Sequence, residues 1–335
     1  GYSLVSKLSK DKGEKVNNFA GKAIIIFGDN SFERVNELSR IYDLAKKGGF
    51  IIENVNSENL TTSDMPSLLN GVSLLADKRL IVVKSLSDNK EIWSQIPDLV
   101  SKIASEIILV DVEDKLDKRT KIFKDISTVS DMREFKNLTQ KDEGILAERA
   151  RILAEKSGLK MAAKDANFLI YWVGIDEWKV KSAISRLSLI GSFSEDMIRK
   201  YIPQTIEQNV FGIFEIAING NAAEITNAIG KLSKNDNLDE AYQFFGLVSS
   251  QFFNLWALKI GLGSGRTVAG ISKDLGVNSW AMSKMESMAR SCSDGRLKKI
   301  AKLLNETDVK LKNSSGSSWD LMENLLLEIA INTNE

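Results

Sequence analysis

The sequence feature that most constrains the fold is a series of short apolar runs, rich in β-branched residues, that alternate with helical patterns before residue 136. The runs are AIIIF (23–27), FIIENV (50–55), RLIVV (79–83) and IILVDV (107–112), and a brief REF (133–135) follows them. Short runs of this kind are typical of strands buried on both faces. Their alternation with helices predicts a mostly parallel sheet covered by helices.

The helical patterns predict how the chain is divided. Asn30 followed by Glu33 resembles a capping box and predicts a helix that ends at Gly48 and Gly49. Beyond Thr139 only helices are predicted, at 139–156, 162–173 and 176–190, and then long amphipathic ones such as 237–262. The predicted organisation is an unassigned segment (1–20), an α/β domain (21–138), a three-helix domain (139–205) and an all-α domain (206–335).

The amino-acid composition excludes several classes of chemistry. The sequence has no histidine and one cysteine, Cys292, which removes the commonest general base, Ser-His and Cys-His nucleophiles, and a structural zinc site. Lys plus Arg and Asp plus Glu both number 45, so the net charge gives no general attraction to nucleic acid or to an anionic membrane. No secretory signal is evident, and no apolar run approaches the roughly 18 residues of a membrane span. We therefore expect a cytoplasmic protein without a membrane partner.

The turn after the first strand lies where an α/β nucleotide-binding protein has its phosphate loop. Such a loop needs several glycines and a lysine. The segment FGDNSFERV (27–35) has one glycine, Gly28, no lysine, and the acidic Asp29 and Glu33. We therefore expect no nucleotide cofactor.

Two acidic residues at the end of the fourth predicted strand, Asp111 and Glu113, allow two interpretations. A strand followed by acidic residues is the pattern of a magnesium-holding segment. Without a phosphate loop, however, there is no bound nucleotide for the magnesium ion to accompany. We favour the interpretation that they are turn formers at the end of a strand.

Two segments are candidates for nucleic-acid contact. The segment KLDKRTKIFK (115–124) places basic residues on a predicted helix. Two interpretations are open: the basic residues contact a phosphate backbone, or they form a helix face that is only solvated. The candidate residues in it are Lys115, Lys118, Arg119 and Lys121. Residues 267–285 are similar to a helix-turn-helix, with Gly276 in the turn and Ser279 capping the second helix. The second helix is poor in base-reading side chains, so core packing is favoured, although an exposed Trp280 would be able to stack on an unpaired base.

A leucine-rich segment, PSLLNGVSLLADKRLIVV (66–83), is the hardest to explain as core alone. Leu68 and Leu69 belong to a predicted short helix, and Leu74 and Leu75 follow across Gly71. A pair of leucines on a turn is available to a partner, and its burial would contribute roughly 3–6 kcal/mol before the costs of association. Composition alone leaves burial in the chain's own core equally open.

These motifs, in this order, resemble the delta-subunit family of bacterial DNA polymerase III clamp loaders. The similarity lies in FGDNSF, SLLADKRLIVV, VDVEDKLDKRTKIFKDI and the C-terminal ISKDLGV, LLNETDVKLKN and LMENLLLEIA. The resemblance covers nearly the whole chain. It implies an AAA+-like domain without a phosphate loop (21–138), a small helical lid domain (139–205) and a helical collar domain (206–335) that assembles with other loader subunits.

The resemblance also implies a function in DNA replication. In this family a hydrophobic pair enters a pocket of the ring-shaped sliding clamp and springs one ring interface open, and by the family pattern it corresponds to Leu74 and Leu75, after Ser73. Well-known members carry Leu-Phe there, so the apolar area of the second residue is smaller here. The implied partners are the sliding clamp (beta subunit), ATPase subunits of the gamma/tau type, a delta-prime type subunit and primed DNA.

Two other functions stay open at this stage. We expect no intrinsic catalysis, although membership of the polymerase III holoenzyme would class the chain with DNA-directed DNA polymerases. A divergent nucleotide hydrolase is the enzymatic alternative, and binding of ATP with magnesium would reveal it. A DNA-binding module that uses the helices of 267–285 is the other, and it predicts salt-dependent binding to duplex DNA.

Overall fold

The computed structural model describes residue 19 and residues 21–71, 78–233, 238–313 and 317–331. The chain divides into two structural units, residues 1–138 and 139–335. The first unit combines a sheet with helices, and the described residues of the second are helical, with turns between the helices. The expected fold class, α/β followed by all-α, is confirmed. The expected division of the second unit between residues 205 and 206 stays a prediction.

The first unit is built on a five-stranded sheet in the order β2-β3-β4-β1-β5, and every pair of neighbouring strands is parallel. The mostly parallel sheet expected from the apolar runs is therefore confirmed. The elements in chain order are β1 (Lys22–Phe27), α1 (Ser31–Lys47), β2 (Ile51–Asn56), α2 (Asp64–Asn70), β3 (Arg79–Lys84), α3 (Lys90–Val100), β4 (Ile107–Glu113), α4 (Lys121–Val129) and β5 (Asp131–Glu134).

The inner strands are apolar without interruption because each fills a core on both faces of the sheet. Successive side chains of a strand point to opposite faces. Ile25 and Leu109 lie in one core together with residues of α3 and α4. Ile24 and Val110 lie in the other core, with Ile41 of α1. The apolar runs thus account for helices on both faces.

The two outer strands depart from the expectation of burial on both faces. Ile51 in β2 is 45% exposed, and no residue of β5 is buried. An outer strand has a neighbour on one side only, and the helices lie mainly over the inner strands. The run FIIENV is therefore a strand, as predicted, but an edge strand.

Helix α1 begins at the predicted position because Asn30 caps it. The Asn30 side chain accepts a hydrogen bond from the N–H of Glu33 at 2.9 Å. The backbone N–H of Asn30 donates to the carbonyl of Phe135 at 3.2 Å. This second bond ties the start of α1 to the end of β5.

In the described part of the second unit, four α-helices precede residue 202 and seven follow it, and the longest is α11 with 26 residues. Helix α11 buries Phe244, Phe252 and Leu255. Within the described ranges, no helix combines the length and the apolar character that a bilayer crossing requires. The elements are α5 (Glu143–Lys156), α6 (Ala163–Val173), α7 (Glu177–Ile190), α8 (Glu195–Tyr201), α9 (Ile206–Ile218), α10 (Ala222–Leu232), α11 (Leu238–Gly263), α12 (Val268–Leu275), α13 (Ser279–Ser291), α14 (Asp294–Asn313) and α15 (Ser318–Ile331).

Candidate functional site

The turn between β1 and α1 is closed by the segment that follows β5. Gly28 has φ +124°, and a Cβ added to it would lie 2.0 Å from the carbonyl oxygen of Phe135. The side chain of Asp29 accepts a hydrogen bond from the N–H of Asn137 at 2.7 Å. Since the N–H of Asn30 is bonded to Phe135, this backbone is engaged where a phosphate loop would leave donors free. The residues of the turn do not fit a nucleotide phosphate.

The interpretation of Asp111 and Glu113 as turn formers is wrong. Both lie within β4 and are buried, with 1% and 2% exposure. The Glu113 carboxylate accepts from the N–H and the hydroxyl of Ser87, both at 2.7 Å, and Asp111 accepts from the N–H of Leu86 at 3.3 Å. The pair therefore holds the turn after β3, where Ser85 adopts a left-handed conformation with φ 53°.

Burial also affects the ionisation of the Asp111 carboxyl. Desolvation, with the nearby charge of Glu113 as a second cause, raises the pKa of Asp111 well above its usual range. A neutral carboxyl is a weak metal ligand. Among the described residues, no group of three or more Asp, Glu or Cys side chains is arranged to hold a metal ion.

The predicted partner-binding pair falls in a segment of which only the flanks are described, and these flanks are at the amino end of the sheet. Ser73, Leu74 and Leu75 lie outside the described residues. In α2, Leu69 is buried in the core and Leu68 is half-buried against it. The Leu68–Leu69 pair thus serves the protein's own core.

The flanks of residues 72–77 meet at one side chain. Arg79, the first residue of β3, is buried. Its Nη2 donates to the carbonyls of Leu68 at 2.9 Å and Gly71 at 2.8 Å, and its Nη1 lies 3.4 Å from Oε2 of Glu53. Sequence reasoning did not identify Arg79, because its partners are mainly backbone carbonyls, which leave no pattern in the sequence.

The basic segment is only partly helical, contrary to expectation. Helix α4 begins at Lys121, and Thr120 caps it by accepting from the N–H of Phe123 at 3.3 Å. The preceding residues form a loop. The reason is Asp117, whose carboxylate accepts from the N–H of Arg119 and fixes a turn there.

The candidate basic residues of this segment are all exposed, and acidic neighbours partly neutralise them. Lys118 pairs with Glu134, and Arg119 pairs with Asp117 at 2.9 Å. Lys115 and Lys121 are exposed without an ion pair among the described residues. The structure thus keeps the segment at the surface but does not gather its cations into one site.

The two helices similar to a helix-turn-helix are α12 and α13, with Gly276 in the left-handed conformation between them. Asn278, not Ser279, caps α13, since its side chain accepts from the N–H of Ala281 at 3.0 Å. Trp280 is half-buried, with its ring centroid 4.1 Å from that of Tyr171. The ammonium group of Lys284 lies over the Trp280 ring, 4.9 Å from its centroid. This agrees with packing between helices.

A buried carboxylate joins α5 to α13 beside this aromatic contact. Glu143 accepts from the side-chain amide of Asn278 at 2.6 Å and from the N–H of Ser279 at 3.4 Å. The carboxylate therefore lies at the amino end of α13, where the helix dipole favours negative charge. Sequence analysis missed this link because its partners are 135 residues apart.

An apolar stripe lies on the outer face of α11. Phe253 is 66% exposed and Ile260, two turns further on, is 63% exposed, and Trp256 between them is half-buried. Large aromatic and aliphatic side chains at this helical spacing are typical of a face that another helix covers. It lies within the predicted amphipathic helix 237–262, which is part of the domain (206–335) expected to assemble with other subunits.

Comparison with known protein families gives a match within the second unit. Residues 207–329 match the family model of the DNA polymerase III delta subunit, C-terminal domain. None of the curated proteins matches the sequence.

Comparison with solved structures gives the fold of the whole chain. The structure aligns with the Bacillus subtilis DNA clamp loader delta protein (YqeN) with a TM-score of 0.50 and 19% identity, over 98% of this chain and 99% of that chain. The replication initiator DnaA, bound to AMPPCP and single-stranded DNA, gives 0.43 and 11%, over 98% and 94%. The Thermotoga maritima RuvB Holliday junction branch migration motor gives 0.35 and 14%, over 80% and 78%. The alignment with the delta protein and the sheet order confirm the expected AAA+-like fold.

Proposed function

We propose that this chain, which resembles the delta-subunit family of bacterial clamp loaders and matches its C-terminal domain over residues 207–329, binds and opens the ring-shaped sliding clamp during DNA replication. The observation that carries the proposal is the match of residues 207–329 to the C-terminal domain of the DNA polymerase III delta subunit. The resemblance found in the sequence is thereby confirmed. The clamp, the opening step and the cytoplasm as its location are parts of the proposal.

The proposed contact with the clamp is the apolar pair Leu74 and Leu75, which follows Ser73. Two points support this choice. The neighbouring leucines of α2 are engaged in the core, so they do not compete for the role. The flanks of the pair lie at the amino end of the sheet, away from the turn at Gly28. The proposed contact with the clamp therefore does not require a bound nucleotide.

The proposed mechanism is a difference in affinity between two states of the ring. A subunit that binds the opened clamp better than the closed one shifts the equilibrium by that difference alone. Burial of two leucine side chains supplies roughly 3–6 kcal/mol before the costs of association. In this proposal the free energy of ATP hydrolysis comes from neighbouring subunits.

The proposed partners are ATPase subunits of the gamma/tau type and a delta-prime type subunit. The exposed stripe of Phe253 and Ile260 on α11 supports a subunit contact, since the side chains are large, apolar and one above the other. Lys115 and Lys121 are exposed cations that primed DNA would meet within the assembly.

The test is the double substitution Leu74→Ala with Leu75→Ala, measured as binding of the purified chain to the sliding clamp from the same genome. We expect a loss of affinity of about a hundredfold or more, which corresponds to the lower end of the burial estimate. The matched control is Leu189→Ala with Ile190→Ala, an adjacent pair of exposed aliphatic residues at the end of α7. Clamp affinity that stays at the wild-type value in the first variant would refute the assignment.

A nucleotide titration tests the other part of the proposal. We expect no binding of ATP with magnesium at micromolar concentration, because the turn at Gly28 is closed by Phe135 and carries acidic residues. Saturable binding in that range would refute this part of the proposal.

A further inference from the structure

A cavity of about 450 Å³ lies within the second unit, among α6, α9, α11 and α13. Its size is in the range of small-molecule sites, which is about 300–1,000 Å³. Part of the wall is apolar, and it is formed by Val173 of α6, Phe211 of α9 and Ala281 of α13. The cavity is therefore large enough for a small ligand, and the polar groups of the lining determine which kind.

One polar group of this lining, the hydroxyl of Tyr171, has no hydrogen-bond partner among the described residues. Tyr171 lies on α6 and is only 5% exposed. A buried hydroxyl is ordinarily hydrogen-bonded, because leaving it unpaired costs free energy. An unpaired hydroxyl in a cavity wall therefore marks a position at which a bound molecule supplies the missing partner.

The charges contributed by α9 near this hydroxyl are negative. Glu207, Phe211 and Glu215 follow one another at intervals of four residues, so they share one face of α9. Glu207 lines the cavity. Burial and then the nearby charge of Glu215 raise the pKa of Tyr171, and Arg199 opposes this in part. Neither carboxylate has an ion-pair partner in the part of the chain that the structure describes.

The cations near the cavity are engaged with other acidic residues. Lys179 of the lining has its ammonium group 3.8 Å from the carboxylate of Asp176, which also lines the cavity, so these two charges offset each other. Arg199 pairs with Glu195 at 2.7 Å. The lining therefore keeps an uncompensated negative charge, that of Glu207, and it favours a positively charged ligand.

The acceptors and the aromatic rings of the cavity suit a planar cation. Gln251 of α11 lines the cavity, and its side-chain amide, like the Tyr171 hydroxyl, is unpaired within the described ranges. The rings of Tyr171 and Phe211 meet edge to face, with centroids 6.0 Å apart. A guanidinium carries several N–H donors in one plane and stacks on aromatic rings, whereas an ammonium group is compact and strongly hydrated. The lining thus matches a guanidinium better than an ammonium ion.

We propose that this cavity binds an alkylguanidinium ion, with its charge beside Glu207 and its N–H donors directed to Tyr171 and Gln251. The proposal goes beyond the clamp function, because the site lies in the second unit and uses none of the residues assigned to the clamp. Such an ion has two sources, a free small molecule and the side chain of an arginine in another protein chain.

The experiment titrates the full chain with n-butylguanidinium and follows binding by ligand-observed NMR. We expect saturable binding with a Kd of about 1 mM or lower, in keeping with the small size of the ligand. The matched ligand is n-butylurea, which has the same shape without the charge and should bind at least about tenfold more weakly. Equal affinity for the two ligands, or no binding of n-butylguanidinium at about 10 mM, would overturn the proposal.

Two substitutions test the residues of the site. Tyr171→Phe removes the hydroxyl and keeps the ring, and Glu207→Gln removes the charge at an exposed position, so each should raise the Kd at least about fivefold. The matched controls are Tyr201→Phe at the end of α8 and Glu224→Gln in the first turn of α10, which lie outside the lining and should bind as the wild type does. Test variants that bind as tightly as their controls would refute the site. If Tyr171→Phe does not fold, the comparison of Glu207→Gln with Glu224→Gln decides.

A further titration distinguishes the two sources of the ion. N-acetyl-arginine N-methylamide carries the same guanidinium on a peptide backbone. A Kd within about threefold of that of n-butylguanidinium assigns the site to an arginine of another protein chain. Exclusion of this bulkier ligand, while n-butylguanidinium binds, assigns the site to a free small molecule.

Discussion

Removal of the Glu143 carboxylate is expected to destabilise the second unit strongly for a single polar substitution. Glu143→Ala leaves the buried amide of Asn278 and the partly buried N–H of Ser279 without their acceptor. A hydrogen bond to a charged group contributes about 1.5–3 kcal/mol. The substitution also removes the desolvation cost of the buried carboxylate, which offsets part of the loss. We expect a net decrease of about 2 kcal/mol in the free energy of unfolding. For a unit of this size that lowers Tm by about 4–8 °C.

The assay is urea and thermal unfolding of the full chain, followed by the tryptophan fluorescence that Trp280 contributes beside this junction. The matched control is Glu148→Ala, which removes a half-exposed acid from the same helix, where it pairs with Arg151. We expect that control to change stability by less than about 0.5 kcal/mol.

A double-mutant cycle separates the contact from its surroundings. Asn278→Ala also removes the cap of α13, so it should cost about 1 kcal/mol more than Glu143→Ala. The double variant should be less destabilised than the sum of the two by at least about 1 kcal/mol. Strict additivity, or a Glu143→Ala variant no less stable than Glu148→Ala, would refute the reasoning.

Two further predictions concern the carboxyl pair and the exposed stripe. Because burial and Glu113 raise the pKa of Asp111, its contribution to stability is present below the unfolded pKa of about 3.9 and is lost as pH rises through the folded pKa. The stability of Asp111→Asn relative to the wild type should therefore increase as pH rises above about 3.9, by at most about 1.4 kcal/mol per pH unit, and parallel urea-unfolding curves would contradict this. Phe253→Ser with Ile260→Ser should leave the fold of the chain intact and weaken its assembly with ATPase loader subunits at least tenfold by size-exclusion titration, since it removes two exposed apolar side chains; undiminished assembly would exclude the stripe as the contact.

The sheet could be predicted from the sequence because its signal is local. Each inner strand fills two cores, so its apolar run is continuous, and the runs mark β1, β3 and β4 within a residue or two. The same signal overestimated the burial of the edge strand at Ile51, because a run of apolar residues does not reveal how many neighbouring strands its strand has. The cap at Asn30 was also predictable, because a capping bond spans only three residues.

The candidate site was less predictable because its contacts join distant residues or use backbone atoms. Asp111 and Glu113 look like residues of a turn in the sequence, yet they hold a different turn, 26 residues earlier in the case of Glu113. The helix expected across 115–124 failed because Asp117 competes for backbone N–H groups before the helix starts. Arg79 carries no pattern at all, because its acceptors are carbonyls that every residue possesses.

The closed turn at Gly28 has a consequence for how this chain can change over generations. Its backbone packs against the segment that follows β5. Phe135 fills the space beside Gly28, the N–H of Asn137 donates to Asp29, and Asn30 forms hydrogen bonds through both its side chain and its main chain. Introducing a lysine and glycines would give the turn the sequence pattern of a phosphate loop but would leave these contacts in place. Each contact would have to be broken, with a loss of folding stability, before the binding of a nucleotide compensated for it. Single substitutions in this turn are therefore not expected to create a phosphate-binding loop in this chain.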